Sequence, residues 1–159
     1  MGRNVCFLVI DSLCDRVRNR DIAVAGLYCD YRAQEQQSAT NMLGAILMQL
    51  LERDEIPQDV RQDFHMGKRG FGGKAHQPSD LVKILKTTMA SLPEVFMWID
   101  GLDECPLNNL RELLESLRDI VRASPTAPMF LSRRPHILNE ITRYCTKGDH
   151  DSRYPYTWR

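Results

Sequence analysis

The stretch Val95-Phe96-Met97-Trp98-Ile99-Asp100-Gly101-Leu102-Asp103-Glu104 decides how the rest of the chain is read. Five apolar residues, 95–99, run without interruption into an acidic cluster. A short continuous apolar run next to Pro93 on one side and a glycine on the other reads as a buried strand of a parallel sheet. In such sheets ligands sit outside the carboxyl ends of the strands. A carboxylate on the last strand residue therefore faces the ligand crevice.

Working outward, the run Ile22-Ala23-Val24-Ala25-Gly26-Leu27-Tyr28-Cys29 gives a second buried strand, and Met129-Phe130-Leu131 a third, shorter one. Between and around them the apolar period changes to that of helices. Val5, Leu8, Val9, Leu13 and Val17 predict a helix over 5–18. Ser38 caps a helix that runs to Leu51 and carries Met42, Leu43, Ile46, Leu47, Leu50 and Leu51. Gln58 to Met66 forms a short helix, and Ser79 or Asp80 caps another that runs to Leu92. Pro106 stands near the start of an amphipathic helix with Leu110, Leu113, Leu114, Leu117, Ile120 and Val121 on one face. A last helix covers 135–144. Residues 30–37 and the basic, glycine-rich 67–74 read as loops, and the polar tail 146–159 as disordered. Strands that alternate with helices specify an α/β fold, a parallel sheet with helices on both faces, within one domain over 1–145.

Bulk properties narrow the function. The 159 residues hold 21 basic and 21 acidic side chains, so the formal net charge is zero. This excludes binding to nucleic acid by bulk electrostatics, and 43% hydrophobic content excludes a disordered chain. No apolar run approaches the ~18 residues that span a bilayer, so no membrane partner is expected. The amino-terminal run 5–10 is too short for a signal peptide and ends at Asp11, and Cys6 stands where a myristoylation signal needs Ser or Thr. The five cysteines, Cys6, Cys14, Cys29, Cys105 and Cys145, contain no CxxC pair and read as small hydrophobes of a reduced, cytoplasmic chain. The four histidines are scattered.

Two segments carry chemistry. Asp100, at the end of its strand, has the position of the Walker B aspartate that holds Mg²⁺ through water. Asp103 or Glu104 then stands where a water attacking the γ-phosphate would be oriented or deprotonated. In Leu131-Ser132-Arg133-Arg134-Pro135 a strand ends in two arginines, and the strand is expected beside that of Asp100. A guanidinium there can offset phosphate charge. The loop 67–74 imitates a phosphate cradle, but Gly73 takes the lysine position of GxxxxGKS/T and Ala75 follows Lys74. No GxSxG elbow is present, so a small α/β hydrolase finds no support.

On these residues the chain resembles the NACHT-type (STAND) signal-transduction P-loop ATPases of filamentous fungi. Within them it is similar to the nephrocystin-3-like N-terminal module of ankyrin-repeat and WD-repeat proteins. The resemblance is carried by Leu8-Val9-Ile10-Asp11, by Ala25-Gly26-Leu27-Tyr28-Cys29-Asp30-Tyr31-Arg32, by 38–44, by Ile99-Asp100-Gly101-Leu102-Asp103-Glu104-Cys105, by 111–114 and by 131–137. It implies a three-layer P-loop NTPase fold, with ATP and Mg²⁺ as ligands. Asp100 matches the metal aspartate, Asp103 and Glu104 the acidic pair that activates water, and Arg134 the sensor arginine. Which of Arg133 and Arg134 faces the site stays open. The family places a strand and a GxxxxGKT loop before its first helix. Here Gly2-Arg3-Asn4 stands in that place. The expectation is an incomplete fold, from a truncated gene copy or an incomplete gene model, with the central first strand absent. Such a chain would have little or no ATPase activity and weak or lost ATP binding. The alternative is a non-enzymatic module that pairs with full-length relatives, or with itself, through exposed sheet edges.

Overall fold

The computed structural model describes residues 22–52, 76–124 and 127–134, with single positions at 56, 58, 59, 61, 62, 137, 139 and 142. Each apolar run within these bounds is a strand. They are β1 (Ile22–Tyr28), β2 (Glu94–Asp100) and β3 (Met129–Leu131), in the order β1-β2-β3 with both pairs parallel. The helices α1 (Ala39–Leu51) and α2 (Pro78–Ala90) lie between β1 and β2 in the chain, and α3 (Leu107–Ala123) lies between β2 and β3. The α/β reading therefore holds. Among the described residues β2 is paired on both sides, while β1 and β3 each have a strand partner on one side only, which is consistent with the incomplete sheet expected.

The pleat sorts the strand residues. On one face Ala23, Ala25, Val95, Met97 and Ile99 are buried, and in register the alanines stand beside Val95 and Met97. On the other face Val24, Phe96 and Trp98 are half-buried. Phe96 and Phe130 stack there with ring centroids 4.8 Å apart, joining the long strand to the short one. The fully buried Leu43, Ile46, Leu47 and Leu50 of α1, Leu81 and Leu85 of α2, and Leu110 and Leu113 of α3 belong to the same core. Each such side chain contributes roughly 1.5–3 kcal/mol by leaving water.

Local chemistry sets the helix ends. Ser38 caps α1 as expected, its Oγ accepting from the Asn41 amide at 3.1 Å. The start of α2 differs from the sequence reading: Gln77 is the N-cap and Pro78 the first helical residue. Proline suits that position because its φ is already helical and the amide it lacks would have no partner there. Ser79 and Asp80 therefore lie inside the first turn, where the Asp80 charge favours the helix dipole. Residues 30–37, read as loop, contain a 3-10 helix, Tyr31–Gln36, capped by Asp30, whose Oδ1 accepts from the Arg32 amide at 3.0 Å. Gln58, Asp59, Arg61 and Gln62 are helical, as are Asn139 and Thr142, in line with the two short helices expected there. The helix expected over 5–18, the loop 67–74 and the tail 146–159 lie outside the described residues. Among the described residues no helix is long and apolar enough to cross a membrane.

On the outer side of β1 a side chain engages the backbone of Gly26. Gln49 of α1 donates to the Gly26 carbonyl at 2.9 Å and accepts from the Gly26 amide at 3.0 Å. One carboxamide thus stands where the backbone of a neighbouring strand would. Gly26 itself is required by Trp98, because a Cβ at position 26 would lie 2.8 Å from the Trp98 ring. Gly26→Ala is expected to lower stability by about 1–3 kcal/mol through overpacking. Gln49→Ala is expected to lower it by about 1–3 kcal/mol, by stranding both Gly26 groups. Urea unfolding followed by tryptophan fluorescence checks both, and unchanged midpoints would refute the two contacts.

Candidate functional site

The carboxyl ends of the three strands meet at one edge of the sheet, and the backbone holds them in place. The Cys29 amide donates to the Asp100 carbonyl at 2.8 Å, extending the β1–β2 ladder by one residue. On the other side the Ser132 amide donates to the Ile99 carbonyl at 2.8 Å, and the Leu102 amide donates back to the Ser132 carbonyl at 3.2 Å. The arginine-bearing segment therefore runs beside the strand of Asp100, as the sequence led us to expect.

Immediately after Asp100 the chain turns at Gly101 with φ at 73°. Only glycine adopts this left-handed conformation at no steric cost. A Cβ there would also lie 2.8 Å from the Cys29 carbonyl oxygen. The turn feeds a short 3-10 helix, Leu102–Glu104, in which the Glu104 amide donates to the Gly101 carbonyl at 2.8 Å. Leu102 is fully buried and anchors it.

The two acidic side chains that follow diverge. Asp103 reaches toward the segment after β3: its Oδ1 accepts from the Arg134 amide at 2.9 Å and its Oδ2 pairs with Arg134 Nε at 3.2 Å. The Asp103 side chain is 6% exposed, that of Arg134 71%. Glu104 reaches toward the segment after β1. Its Oε2 accepts from the Tyr31 amide at 3.2 Å, and its backbone carbonyl accepts from Gln34 Nε2 at 3.4 Å. A further tie runs from Asn109 of α3, whose Nδ2 donates to the Gln37 carbonyl at 2.9 Å.

Asp100, Asp103, Glu104 and Arg134, named from the sequence, are thus brought to one edge, and their commitments differ. Among the described residues no hydrogen bond or ion pair engages the Asp100 carboxylate, which remains an open acceptor. Of the two arginines, Arg134 is committed to Asp103. Arg133 donates from Nη1 to the Arg134 carbonyl at 3.3 Å, and its Nε is buried without a partner. Among the described residues no group of three or more His, Cys, Asp or Glu side chains could by itself hold a metal.

Two of the five cysteines fall at this edge, and both are buried free thiols, in line with the reading of the cysteines as small hydrophobes. Cys29 follows β1, and Cys105 follows the 3-10 turn, where its thiol donates to the Pro106 carbonyl at 3.7 Å. The Cys29 thiol is pushed well up, first by the thiol of Cys105, then by burial, then by the negative charges of Asp100 and Glu104. The Cys29 thiol in turn draws that of Cys105 down, against the effect of burial.

The family model described as Nephrocystin 3, N-terminal, matches residues 5–134. The chain belongs to the nephrocystin 3 N-terminal family. The match takes in all three strands and every residue of the edge just described. No curated protein and no solved structure matches the chain.

Within this family member the acidic turn makes separable contributions. Arg134→Ala removes an exposed ion pair and is expected to lower stability by less than about 1 kcal/mol. Asp103→Ala also strands the Arg134 amide and is expected to lower it by about 1–3 kcal/mol. Gly101→Ala should exceed both, because it meets a forbidden φ and a backbone oxygen together. Denaturant midpoints of the three variants check this order, and equal effects would refute it.

Proposed function

We propose that this chain carries the metal-and-sensor side of a nucleotide site in a NACHT-type signal-transduction NTPase module of the fungal kind, working in the cytoplasm. The observation that carries the reading is the Asp100 carboxylate at the carboxyl end of β2, engaged by no hydrogen bond or ion pair among the described residues, together with the buried, unmatched Nε of Arg133 at the same end of the sheet. Both fit the implied group. Mg²⁺ takes one or two carboxylates, keeps several waters and completes its shell with phosphate oxygens, so a single Asp suffices on the protein side. An unmatched guanidinium donor suits a phosphate oxygen. When bound, Mg²⁺·ATP supplies a polarised, charge-neutralised phosphate chain. The chain's own part is to hold the metal through Asp100 and to place positive charge through Arg133.

Asp103 and Glu104 are engaged with Arg134 and Tyr31. We assign them first to holding the edge together, and to water activation only if those contacts open. The 159 residues contain no GxxxxGKS/T sequence, so the phosphate grip of backbone amides and lysine is not supplied by this stretch. The expected behaviour is weak, Mg²⁺-dependent ATP binding with little or no hydrolysis. Titration with a fluorescent ATP analogue, with and without Mg²⁺, tests it. Asp100→Ala and Arg133→Ala should each weaken binding about tenfold, the loss of one charge-assisted contact, and Arg134→Ala much less. Binding indifferent to both Mg²⁺ and Asp100→Ala would overturn the reading.

A second reading, a module that adds to a relative's sheet, rests on β3. This strand is three residues long, has a partner on one side only among the described residues, and carries the exposed Phe130. Concentration-dependent sedimentation of the chain, abolished by Phe130→Lys, would favour it over the nucleotide reading.

A further inference from the structure

We propose that the aromatic face of the sheet, made by Val24, Phe96, Trp98 and Phe130, is the docking surface for the chain's own amino-terminal stretch 5–18, with Arg16 set against Glu94. The proposal stands apart from the nucleotide reading and would hold if that reading failed.

The surface follows from register and pleat. Val24 stands beside Phe96, and Trp98 beside Phe130, so the four share one face. Phe96 and Phe130 stack with ring centroids 4.8 Å apart, and the Trp98 ring lies against Gly26. One apolar surface therefore crosses all three strands. Val24, Phe96 and Trp98 are only half-buried, and Phe130 is 37% exposed. The opposite face is different. The buried side chains of α1, α2 and α3 form one core with Ala23, Ala25, Val95, Met97 and Ile99. The half-buried strand residues that pack on this core, Leu27, Met129 and Leu131, lie on that same face. All-parallel sheets are covered on both faces, because both faces of their strands are apolar.

The choice of occupant rests on elimination, length and charge. Ile56 and Ile137, from the stretches that follow α1 and β3, belong to the core of the first face, which leaves the stretch ahead of β1. That stretch lies outside the described residues, and its sequence carries the pattern: Val5, Leu8, Val9, Leu13 and Val17 recur at helical spacing. As a helix, positions 5–18 would measure about 21 Å. The strands β1 and β2 hold seven residues each, a length of about 23 Å. Only 19–21 separate the stretch from Ile22, a link that reaches at most about 10 Å. A segment so tethered folds back over the sheet antiparallel to β1, with its last turn above the start of that strand. Arg16 stands seven positions after Val9, on the apolar stripe and in that last turn. Glu94 is exposed, opens β2 on the aromatic face and is the register partner of Ile22. The arginine stem can cover apolar surface there while its guanidinium meets the carboxylate.

Photo-cross-linking of the full chain tests it. The photoreactive p-benzoylphenylalanine is placed at position 96, the protein is irradiated under native conditions, and the products are mapped by mass spectrometry. The expected result is an intramolecular cross-link whose partner peptide falls within 5–18, and Leu13→Asp should remove most of it. The same probe at the exposed position 130 repeats the test should the replacement at 96 disturb the fold. Arg16→Glu should lower the urea midpoint, and adding Glu94→Arg should restore it. A midpoint that the second substitution does not restore would overturn the pairing of Arg16 with Glu94. Cross-links to another part of the chain, a covalent dimer in their place, or no cross-link from either position would overturn the docking itself.

Discussion

The left-handed turn at Gly101 is the constraint on which the functional edge depends. The chain leaves β2 at Asp100 and has to reverse within one residue, against the carbonyl of Cys29. A side chain at that point would meet a backbone oxygen that cannot move, since its own residue is fixed in the sheet ladder. Everything downstream follows from the reversal. Leu102 drops into the core, and Asp103 and Glu104 leave in opposite directions. A bulkier residue would push the whole turn outward and undo these placements together.

An acidic cluster reads as one chemical object in a sequence, but in the fold its members do different work. Asp100 continues the sheet through its backbone, and no described residue engages its carboxylate. Asp103 and Glu104 bind backbone amides of the two neighbouring segments and so act as struts between three strand ends. A carboxylate that accepts from a main-chain N–H holds a loop more firmly than a pair of exposed charges does, since exposed pairs contribute little. The strength of the Asp103 contact therefore lies more in the Arg134 amide than in the Arg134 guanidinium.

Much of the fold was legible because it rests on local pattern. The strands at 22–29, 95–99 and 129–131 are continuous apolar runs, and α3 repeats leucine at helical spacing, so periodicity alone locates them. Ser38 is a cap by residue type. The start of α2 was misplaced because Ser79 and Asp80 are also good caps, and the conformational preference of Pro78 outweighed them. The 3-10 helix after β1 was missed because its residues are polar, and its supports, Glu104 and Asn109, lie some 70 positions away. The site was legible as a set of residues but not as a set of contacts. Which acid is braced, and against which neighbouring segment, depends on strand register, which no local pattern encodes. The family match adds membership, and it covers the stretch that carries these contacts.

The Gln49 contact with Gly26 has a chemical corollary. Gly26 presents one donor and one acceptor, and a carboxamide is matched to both at once. A carboxylate in its place keeps the acceptor but sets negative charge against the Gly26 carbonyl, and an ammonium keeps only donors. Spontaneous hydrolysis of that side-chain amide to glutamate would thus replace one of two attractions with a repulsion, with no change in the encoded sequence.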